Sequence, residues 1–317
     1  MNTATSDSTD VEYATDDVGE QRWREYDTDV KLAGRMHVTR MNTAGLENLQ
    51  MNLTGLPKGL YLKNSRQPSN AGQVHVGWTS FNGPQTQAIC GVQCPYLSSS
   101  YKYLANKQPA LLAQLLTVAE AMWNGATTIF PVETSTMLQT SACFRLGTTG
   151  FQKISSGTNL AALWHKDDGN LAGSIQCVLV LGVFEGGRVR FDLAGRLGKN
   201  RSPNTKSQGR EEDVVVVPNE HGTLFIGHYE SVWHSVDSVT DGDRTIVAAY
   251  ATKAVQTFDR AVIQSGRYTF EQAMALQAYR VDQVKALRVE QDKVVRGAQR
   301  KALTDMWRQQ DGGNFPG

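Results

Sequence analysis

Two histidines, one aspartate and one arginine form the pattern in this sequence with the clearest chemical potential. His165 and Asp167 stand two residues apart in AALWHKDDGN, His234 follows in GHYESVWHSV, and Arg244 lies ten residues beyond it. Two imidazoles and one carboxylate on one face of an Fe(II) ion leave three coordination positions open, where a cosubstrate and O2 can bind side by side. The order of these residues therefore indicates a metal centre for oxygen chemistry.

Neighbouring residues compete for the same roles. Asp168 follows Asp167, but successive side chains of an extended chain point to opposite faces, so Asp167 is the predicted ligand. His221 and His228 both lie close to His234. Only His234 is followed by a turn, a strand and an arginine at the expected distance. The other two histidines are therefore predicted to lie on the surface or to contact the metal ligands without binding the metal.

Short apolar runs between the two histidines predict the strands that must bring them together. Each run is rich in β-branched or aromatic residues and is bounded by Gly, Pro, Asp or Asn. These runs are IQCVLVLGVF (175–184), VVVVP (214–218) and TLFIGHY (223–229). A Gly-Gly turn leads into a further strand in EGGRVRFDL (185–193).

The segment SVTDGDRTIVAAYAT (238–252) predicts a turn followed by one more strand. If the side of this strand that carries Arg244 faces the metal, the planar guanidinium of Arg244 can hold a carboxylate through two parallel hydrogen bonds. Alternation along the strand places five side chains on this one side: Arg244, Ile246, Ala248, Tyr250 and Thr252.

His165, Asp167, His234 and Arg244, set among short strands, resemble the motif of the Fe(II)/2-oxoglutarate dioxygenase superfamily. The resemblance covers residues 140–255. It implies a core that is a double-stranded β-helix, a jelly-roll-like barrel. With the helices that composition predicts, the expected fold is mixed α/β with flanking helices and a long C-terminal helical segment. It also implies that the cofactors are Fe(II) and 2-oxoglutarate with O2 as cosubstrate, and that Arg244 binds the far carboxylate of 2-oxoglutarate.

Within the superfamily, HKDDGN, VLVLGVFEGGRVRF and GTLFIGHYESVWHSV look most like the branch of TET and base-J-binding proteins, which oxidises 5-methyl groups of pyrimidines in nucleic acid. That resemblance implies that Tyr250 stacks on a flipped base and that Asn170 and Thr252 touch the base edge. From the residues alone, Tyr250 could equally be a core aromatic, and Asn170 could cap a turn after Gly169.

One position departs from the superfamily pattern. Ile246 stands where many members have Ser or Thr to hold the cosubstrate carboxylate. Either Thr245 or another hydroxyl substitutes, or the cosubstrate is held differently.

The function predicted from these residues is oxidation of the 5-methyl group of 5-methylcytosine in DNA, which makes such DNA the expected partner. Three alternatives stay open. The protein could hydroxylate a small molecule or a protein side chain, it could be a TET-like enzyme with a different cosubstrate, or it could bind nucleic acid without catalysis. The intact metal motif argues against the last of these.

Composition suggests a central domain with additions at both ends. Residues 1–30 hold nine Asp or Glu against two Arg and predict a disordered acidic arm. Residues 31–260 form the predicted dioxygenase domain, and 261–317 a C-terminal helical extension. Residues 195–213 form a basic insert. It is either a mobile loop in solvent or a loop that contacts DNA. Its basic side chains are Arg196, Lys199, Arg201, Lys206 and Arg210.

Outside the motif region the sequence predicts strands at MHVTRM (36–41), GLYLKN (59–64) and QVHVGW (73–78), with QAICGVQCPY (87–96) as a further candidate. A helix is predicted from about Ala110, with Pro109 in its first turn, and a second over 269–310.

A net charge of +1 gives no overall field to attract nucleic acid. The sequence has neither a signal-peptide pattern nor an apolar run long enough to cross a membrane. We expect a soluble intracellular protein, nuclear if its source is eukaryotic, of undetermined oligomeric state.

Overall fold

The structure, a computed structural model, describes only part of the chain. The basic insert and, apart from Val30, the acidic arm predicted from the sequence lie outside the described residues. The backbone is described for residues 30–32, 34–44, 46, 48–63, 72–80, 88–141, 143–193, 214–217 and 219–311. Side chains are described for the same residues except 30–32, 63, 88 and 303–311.

Strands make up most of the region that contains the motif, and they follow the apolar runs seen in the sequence. In chain order they are β1 (Val30–Leu32), β2 (Met36–Arg40), β3 (Tyr61–Lys63), β4 (Gly72–Thr79), β5 (Ala88–Ile89), β6 (Val92–Gln93), β7 (Tyr96–Leu97), β8 (Lys153–Thr158), β9 (Ala162–His165), β10 (Gln176–Leu181), β11 (Phe184–Gly186), β12 (Val189–Asp192), β13 (Val214–Val217), β14 (Thr223–Gly227), β15 (Trp233–Val236), β16 (Val239–Gly242) and β17 (Thr245–Tyr250).

All strand pairs in the described part of the chain are antiparallel. The larger sheet has nine strands among the described residues, in the order β1-β2-β14-β10-β17-β8-β4-β3, with β7 also paired to β4. The smaller sheet has the order β13-β12-β15-β9. Two hairpins, β11-β16 and β5-β6, complete the described pairs. The protein is therefore a mixed α/β structure built on antiparallel sheets.

Helices connect and flank the sheets. Pro109 takes the first position of its helix, as predicted, because it has no N–H to lose there. The helix just before it and the one just after were not predicted. The helices are α1 (Leu49–Thr54), α2 (Ser99–Lys107), α3 (Pro109–Ile129), α4 (Pro131–Thr140), α5 (Lys253–Phe258) and α6 (Phe270–Asp311), with a 3-10 turn at Lys58–Leu60 and a π-helical segment at Asp259–Gln264.

The larger sheet uses its two faces differently, as β10 shows. Cys177, Leu179 and Leu181 point to one face and join a buried cluster with α3. Val178 and Val180 point to the other face, toward the smaller sheet. Alternation along the strand thus divides an apolar core under the helices from a pocket between the sheets.

Among its described side chains, those of helix α6 that are buried lie near its beginning. Ala273 and Gln277 are buried, and Ala273 belongs to a cluster with Phe258 and Phe144. Residues 285–302 are exposed. The predicted C-terminal helix is therefore confirmed, and most of its described length lies in solvent. None of the helices in the described ranges is long and apolar enough to cross a membrane.

One buried cation in β8 makes a clear prediction about stability. Lys153 is 5% exposed, and its Nζ donates a hydrogen bond to Thr79 Oγ1 at 3.3 Å. Burial lowers the pKa of Lys153 to about 8. Below that pH the ammonium is charged in both folded and unfolded chains, so the folded state carries the desolvation cost that lowers this pKa. Between pH 8 and the unfolded pKa of 10.5 only the folded state loses the proton, so stability rises.

We predict that Lys153→Met raises the free energy of unfolding at pH 7 by roughly 1–3 kcal/mol. The variant should also lack the rise in stability that the parent protein shows between pH 8 and 10. Urea unfolding at several pH values measures both effects, with exposed Lys102→Met as the control. A less stable Lys153→Met at pH 7 would show that this charge is compensated.

Candidate metal centre

Strand pairing in the smaller sheet brings the two histidines of the motif together. His234 in β15 lies opposite His165, the last residue of β9, next to an irregularity in the pairing. The ring centroids are 4.2 Å apart. Asp167 follows β9 directly, and its backbone N–H donates to the Tyr229 carbonyl at 3.1 Å. That bond returns the chain toward His234, and His165 Nε2 comes within 3.6 Å of Asp167 Oδ1.

Backbone carbonyls orient both imidazole rings. Nδ1 of His165 lies 2.7 Å from the Leu163 carbonyl, and Nδ1 of His234 lies 3.0 Å from the Val232 carbonyl. Because a carbonyl oxygen only accepts, each Nδ1 must carry the proton and donate. Each ring then presents the Nε2 lone pair, which is the form that binds a metal.

The donor set fits an Fe(II) ion. One ligand atom from each of His165, Asp167 and His234 lies within 4.8 Å of the others, and no other such group occurs among the described side chains. Two nitrogens and one carboxylate oxygen are the ligands that leave coordination positions open for oxygen chemistry. These three residues could hold the metal with their Nε2 and carboxylate atoms.

The competing residues are placed elsewhere. Asp168 is exposed and stands apart from the cluster. His221 accepts the backbone N–H of Gly182 at 3.0 Å, while His228 lies 3.7 Å from a carboxylate oxygen of Glu133. The preference for Asp167 and His234 over their neighbours agrees with this geometry.

The metal cluster opens into a pocket of about 190 Å³ between the two sheets. Alternate residues of β17 line it as the sequence predicted: Ile246, Ala248 and Tyr250, with Arg244 just before the strand. The other residues that line it are Gln73, Ser155, Leu160, Ala162, Asn170, Gln176, Val178, Val180, Val189, Asn219, Phe225, Tyr229 and Val236, together with the three cluster residues.

Arg244 is a buried cation in the wall of this pocket. It is 1% exposed, and burial lowers the pKa of its guanidinium to about 10, so it is charged at neutral pH. Its Nη1 donates to the Gly187 carbonyl and its Nη2 to the Leu160 carbonyl. Gly187 has a φ of +64°, and a Cβ there would lie 2.7 Å from Nη1. The positive φ and this close approach both favour glycine at position 187.

The structure also identifies the polar group beside Arg244. Ile246 lines the pocket, but Thr245 faces away and shares a hydrogen bond of 2.9 Å with Thr158. Thr245 therefore does not replace the missing hydroxyl. Asn219 lies beside the arginine instead, because its Nδ2 donates to the same Gly187 carbonyl at 2.7 Å. Its buried Oδ1 has no partner within the described part of the chain.

Two of the three predicted base contacts line the pocket. Asn170 is buried, and its Nδ2 donates to Gln176 Oε1. Tyr250 is half-buried, and its hydroxyl lies 3.5 Å from His75 Nδ1. Thr252 does not line the pocket. Its backbone N–H and hydroxyl both donate to Gln152 Oε1, at 2.8 and 3.3 Å, so the structure does not support a base contact from Thr252.

Five polar residues of the pocket were not identified from the sequence: Gln73, Ser155, Gln176, Asn219 and Tyr229. A signal existed for Gln176, because it shares the alternation of Val178 and Val180. Tyr229 packs edge-on against His234 with ring centroids 4.9 Å apart. Burial raises its pKa well above the usual value, so the ring stays neutral.

Comparisons with known proteins give similarities in structure alone. No protein-family model matches the sequence, and no curated protein matches it either. Solved structures that resemble this one include several named as oxygenases or hydroxylases.

NgTET1 in complex with 5mC DNA has a TM-score of 0.49 and 11% identity over 70% of this chain and 74% of that one. A 2OG-Fe(II) oxygenase family protein from Burkholderia pseudomallei has a TM-score of 0.36 and 14% identity, and the match covers 66% of this chain and 81% of that one. A prolyl-4-hydroxylase from Pseudomonas putida has a TM-score of 0.35 and 11% identity, and the match covers 69% of this chain and 92% of that one. Function is therefore inferred below from the side chains of this chain.

We predict that Asp167→Ala lowers the affinity for Fe(II) by more than roughly a hundredfold, since loss of a direct ligand exceeds the effect of losing a supporting residue. Anaerobic titration calorimetry measures the affinity, and circular dichroism checks the fold. Asp168→Ala is the matched control and should bind as the parent does. Equal binding by Asp167→Ala and the parent would exclude this cluster as the metal site.

Proposed function

We propose that this protein is an Fe(II)- and 2-oxoglutarate-dependent dioxygenase, and that its two sheets are the two sides of a double-stranded β-helix. One observation supports this above all. The His165, Asp167 and His234 cluster and the buried guanidinium of Arg244 line the same pocket. A metal cluster with open positions and a fixed cation together suit a ligand that chelates the metal at one end and carries a carboxylate at the other.

In this proposal the three cluster residues hold the metal. A bound Fe(II), together with 2-oxoglutarate and O2, would supply the oxidation of a C–H bond. The contribution of the chain is to orient the ligands: Nδ1–H bonds to carbonyls fix both imidazoles, and the Tyr229 carbonyl fixes the backbone at Asp167. Such outer contacts set ring orientation and increase ligand basicity.

Arg244 would bind the distal carboxylate of 2-oxoglutarate. Its two bonds to carbonyls hold the guanidinium in place before the ligand arrives, so little side-chain freedom is lost on binding. Burial strengthens the attraction between the cation and a carboxylate. Asn219 stands at the same end of the pocket and supplies a polar group there, whereas Ile246 supplies none.

We further propose that the substrate is 5-methylcytosine in DNA. Asn170 offers an amide that can both donate and accept, as a cytosine edge requires, and Tyr250 offers an aromatic face beside it in the pocket. A base inside a duplex cannot reach such a site, so the nucleotide would have to flip out of the stack. Lys166 lies next to His165 with its Nζ 5.5 Å from the Trp233 ring centre, and a phosphate could bind this cation.

Ile246 also favours a second candidate, a related oxidation that uses a cosubstrate other than 2-oxoglutarate. A hydroxyl on this strand would be a second donor to the carboxylate, and neither Ile246 nor Thr245 provides one in the pocket. Dependence of product formation on added 2-oxoglutarate distinguishes the two candidates.

We predict that the purified protein with Fe(II), 2-oxoglutarate and O2 converts 5-methylcytosine in DNA to an oxidised nucleoside, detected by mass spectrometry of the digested DNA. Asp167→Ala should form none, and Asp168→Ala should retain activity. Succinate formation with unchanged DNA would reject the DNA substrate and leave a small molecule or a protein side chain as the target. Product without added 2-oxoglutarate would favour the second candidate.

A stacking role for Tyr250 predicts a split between two activities. Tyr250→Ala should lower oxidation of 5-methylcytosine at least roughly fivefold, because base–aromatic stacking contributes about 1–3 kcal/mol. The same variant should retain part of its 2-oxoglutarate decarboxylation, measured as succinate. Tyr250→Phe keeps the ring and should behave almost as the parent. Equal loss of both activities in Tyr250→Ala would contradict stacking.

A further inference from the structure

Two side-chain amides form a hydrogen-bonded pair in the pocket wall. Asn170 and Gln176 are 6% and 7% exposed, and both line the pocket. Asn170 Nδ2 donates to Gln176 Oε1. Only Asn170 was singled out from the sequence, so the role of its partner has to be derived from the structure.

Backbone contacts fix the position of this pair relative to the metal cluster. The N–H of Asn170 donates to the carbonyl of the predicted ligand Asp167 at 2.8 Å. Asn170 also forms an isolated bridge with Thr252, beyond the end of β17. Gln176 begins β10, and its side chain shares the pocket face with Val178 and Val180. A ligand that contacts the pair is therefore held beside the cluster.

The bond within the pair determines what the pair can offer a ligand. It leaves Asn170 Oδ1 as an acceptor and Gln176 Nε2 as a donor, and no described residue is a hydrogen-bond partner for either atom. If both amides turn over together, the internal bond is kept and the donor and acceptor exchange places. In either orientation the pair presents one donor next to one acceptor.

We propose that Gln176, acting with Asn170, is a specificity-determining residue that recognises the Watson–Crick edge of a pyrimidine base; this rests on the proposed function. In 5-methylcytosine the N4 amino group donates to Asn170 Oδ1 and N3 accepts from Gln176 Nε2. Thymine has O4 as an acceptor and N3–H as a donor, which match the pair after both amides turn over. The pair thus matches the Watson–Crick edges of both 5-methylated pyrimidines, one in each orientation of the two amides.

This assignment also accounts for the second edge contact that Thr252 does not supply. Thr252 is committed to Gln152, and Gln176 presents its amide in the pocket next to Asn170. A purely structural pair would make a different prediction, because its loss would lower stability without changing which base is bound.

The test measures binding without turnover. Parent and variants, loaded with Fe(II) and 2-oxoglutarate in the absence of O2, are titrated into single-stranded oligonucleotides that carry 5-methylcytosine, thymine or an abasic site at one position. Fluorescence anisotropy gives the affinities, and the ratio to the abasic strand isolates the contribution of the base. The parent should prefer both bases to the abasic site.

Two variants separate recognition from folding. Gln176→Met removes the whole amide and should reduce the preference for 5-methylcytosine by roughly fivefold to tenfold, as expected for one hydrogen bond. Gln176→Glu is nearly isosteric, keeps an acceptor for Asn170 Nδ2 and lacks the Nε2 donor, so it should lose the preference while the pair stays intact. Gln139→Met is the matched control, because Gln139 is exposed on α4 and does not line the pocket.

Retention of the preference by both Gln176 variants would overturn the proposal, and so would an equal loss in Gln139→Met. A parent protein that does not distinguish either base from the abasic site would overturn it as well. By contrast, a clear base preference together with no oxidised product would contradict only the proposed function.

Discussion

The antiparallel pairing of β9 with β15 is the constraint on which the rest of the site depends. It places His165 opposite His234 with ring centres 4.2 Å apart, although 68 residues of sequence separate them. Side chains alternate along a strand, so a slip of one residue would turn one imidazole to the other face of the sheet. The carbonyls of Leu163 and Val232 then set the rings, and the Tyr229 carbonyl brings Asp167 back to them.

The second requirement is a place for a buried charge. Burying a guanidinium costs free energy unless its N–H groups are bonded, and Arg244 meets part of this cost by donating from Nη1 and Nη2 to two backbone carbonyls. Its buried Nε has no hydrogen-bond partner among the described residues. One of these carbonyls belongs to Gly187, where a side chain would collide with the arginine. The turn between β11 and β12 is therefore shaped by the residue that precedes β17. The same carbonyl accepts from Asn219, so three separate segments meet at one oxygen atom.

The parts of this structure that the sequence could predict are those that depend on local patterns. The strands around 175–184, 214–218 and 223–229 follow from β-branched runs, and the pocket face of β17 follows from simple alternation. Thr252 shows where alternation fails, because β17 ends at Tyr250 and the Thr252 hydroxyl bonds to Gln152 rather than following the strand face. Asn219 and Gln176 depend on partners far away in the sequence, which no local pattern contains. The unpredicted α2 and α4 flank α3 and share its core, so tertiary packing outweighs their weak periodicity.

Helix α6 gives the molecule a shape that its compact sheets do not suggest. Residues 285–311 continue as helix, and those with described side chains are exposed. At 1.5 Å per residue this part spans roughly 40 Å, about the width of a small domain. A rod of that length increases hydrodynamic drag, so the protein should sediment more slowly than a sphere of equal mass. Anything attached near its tip would be carried far from the His165 and Asp167 cluster.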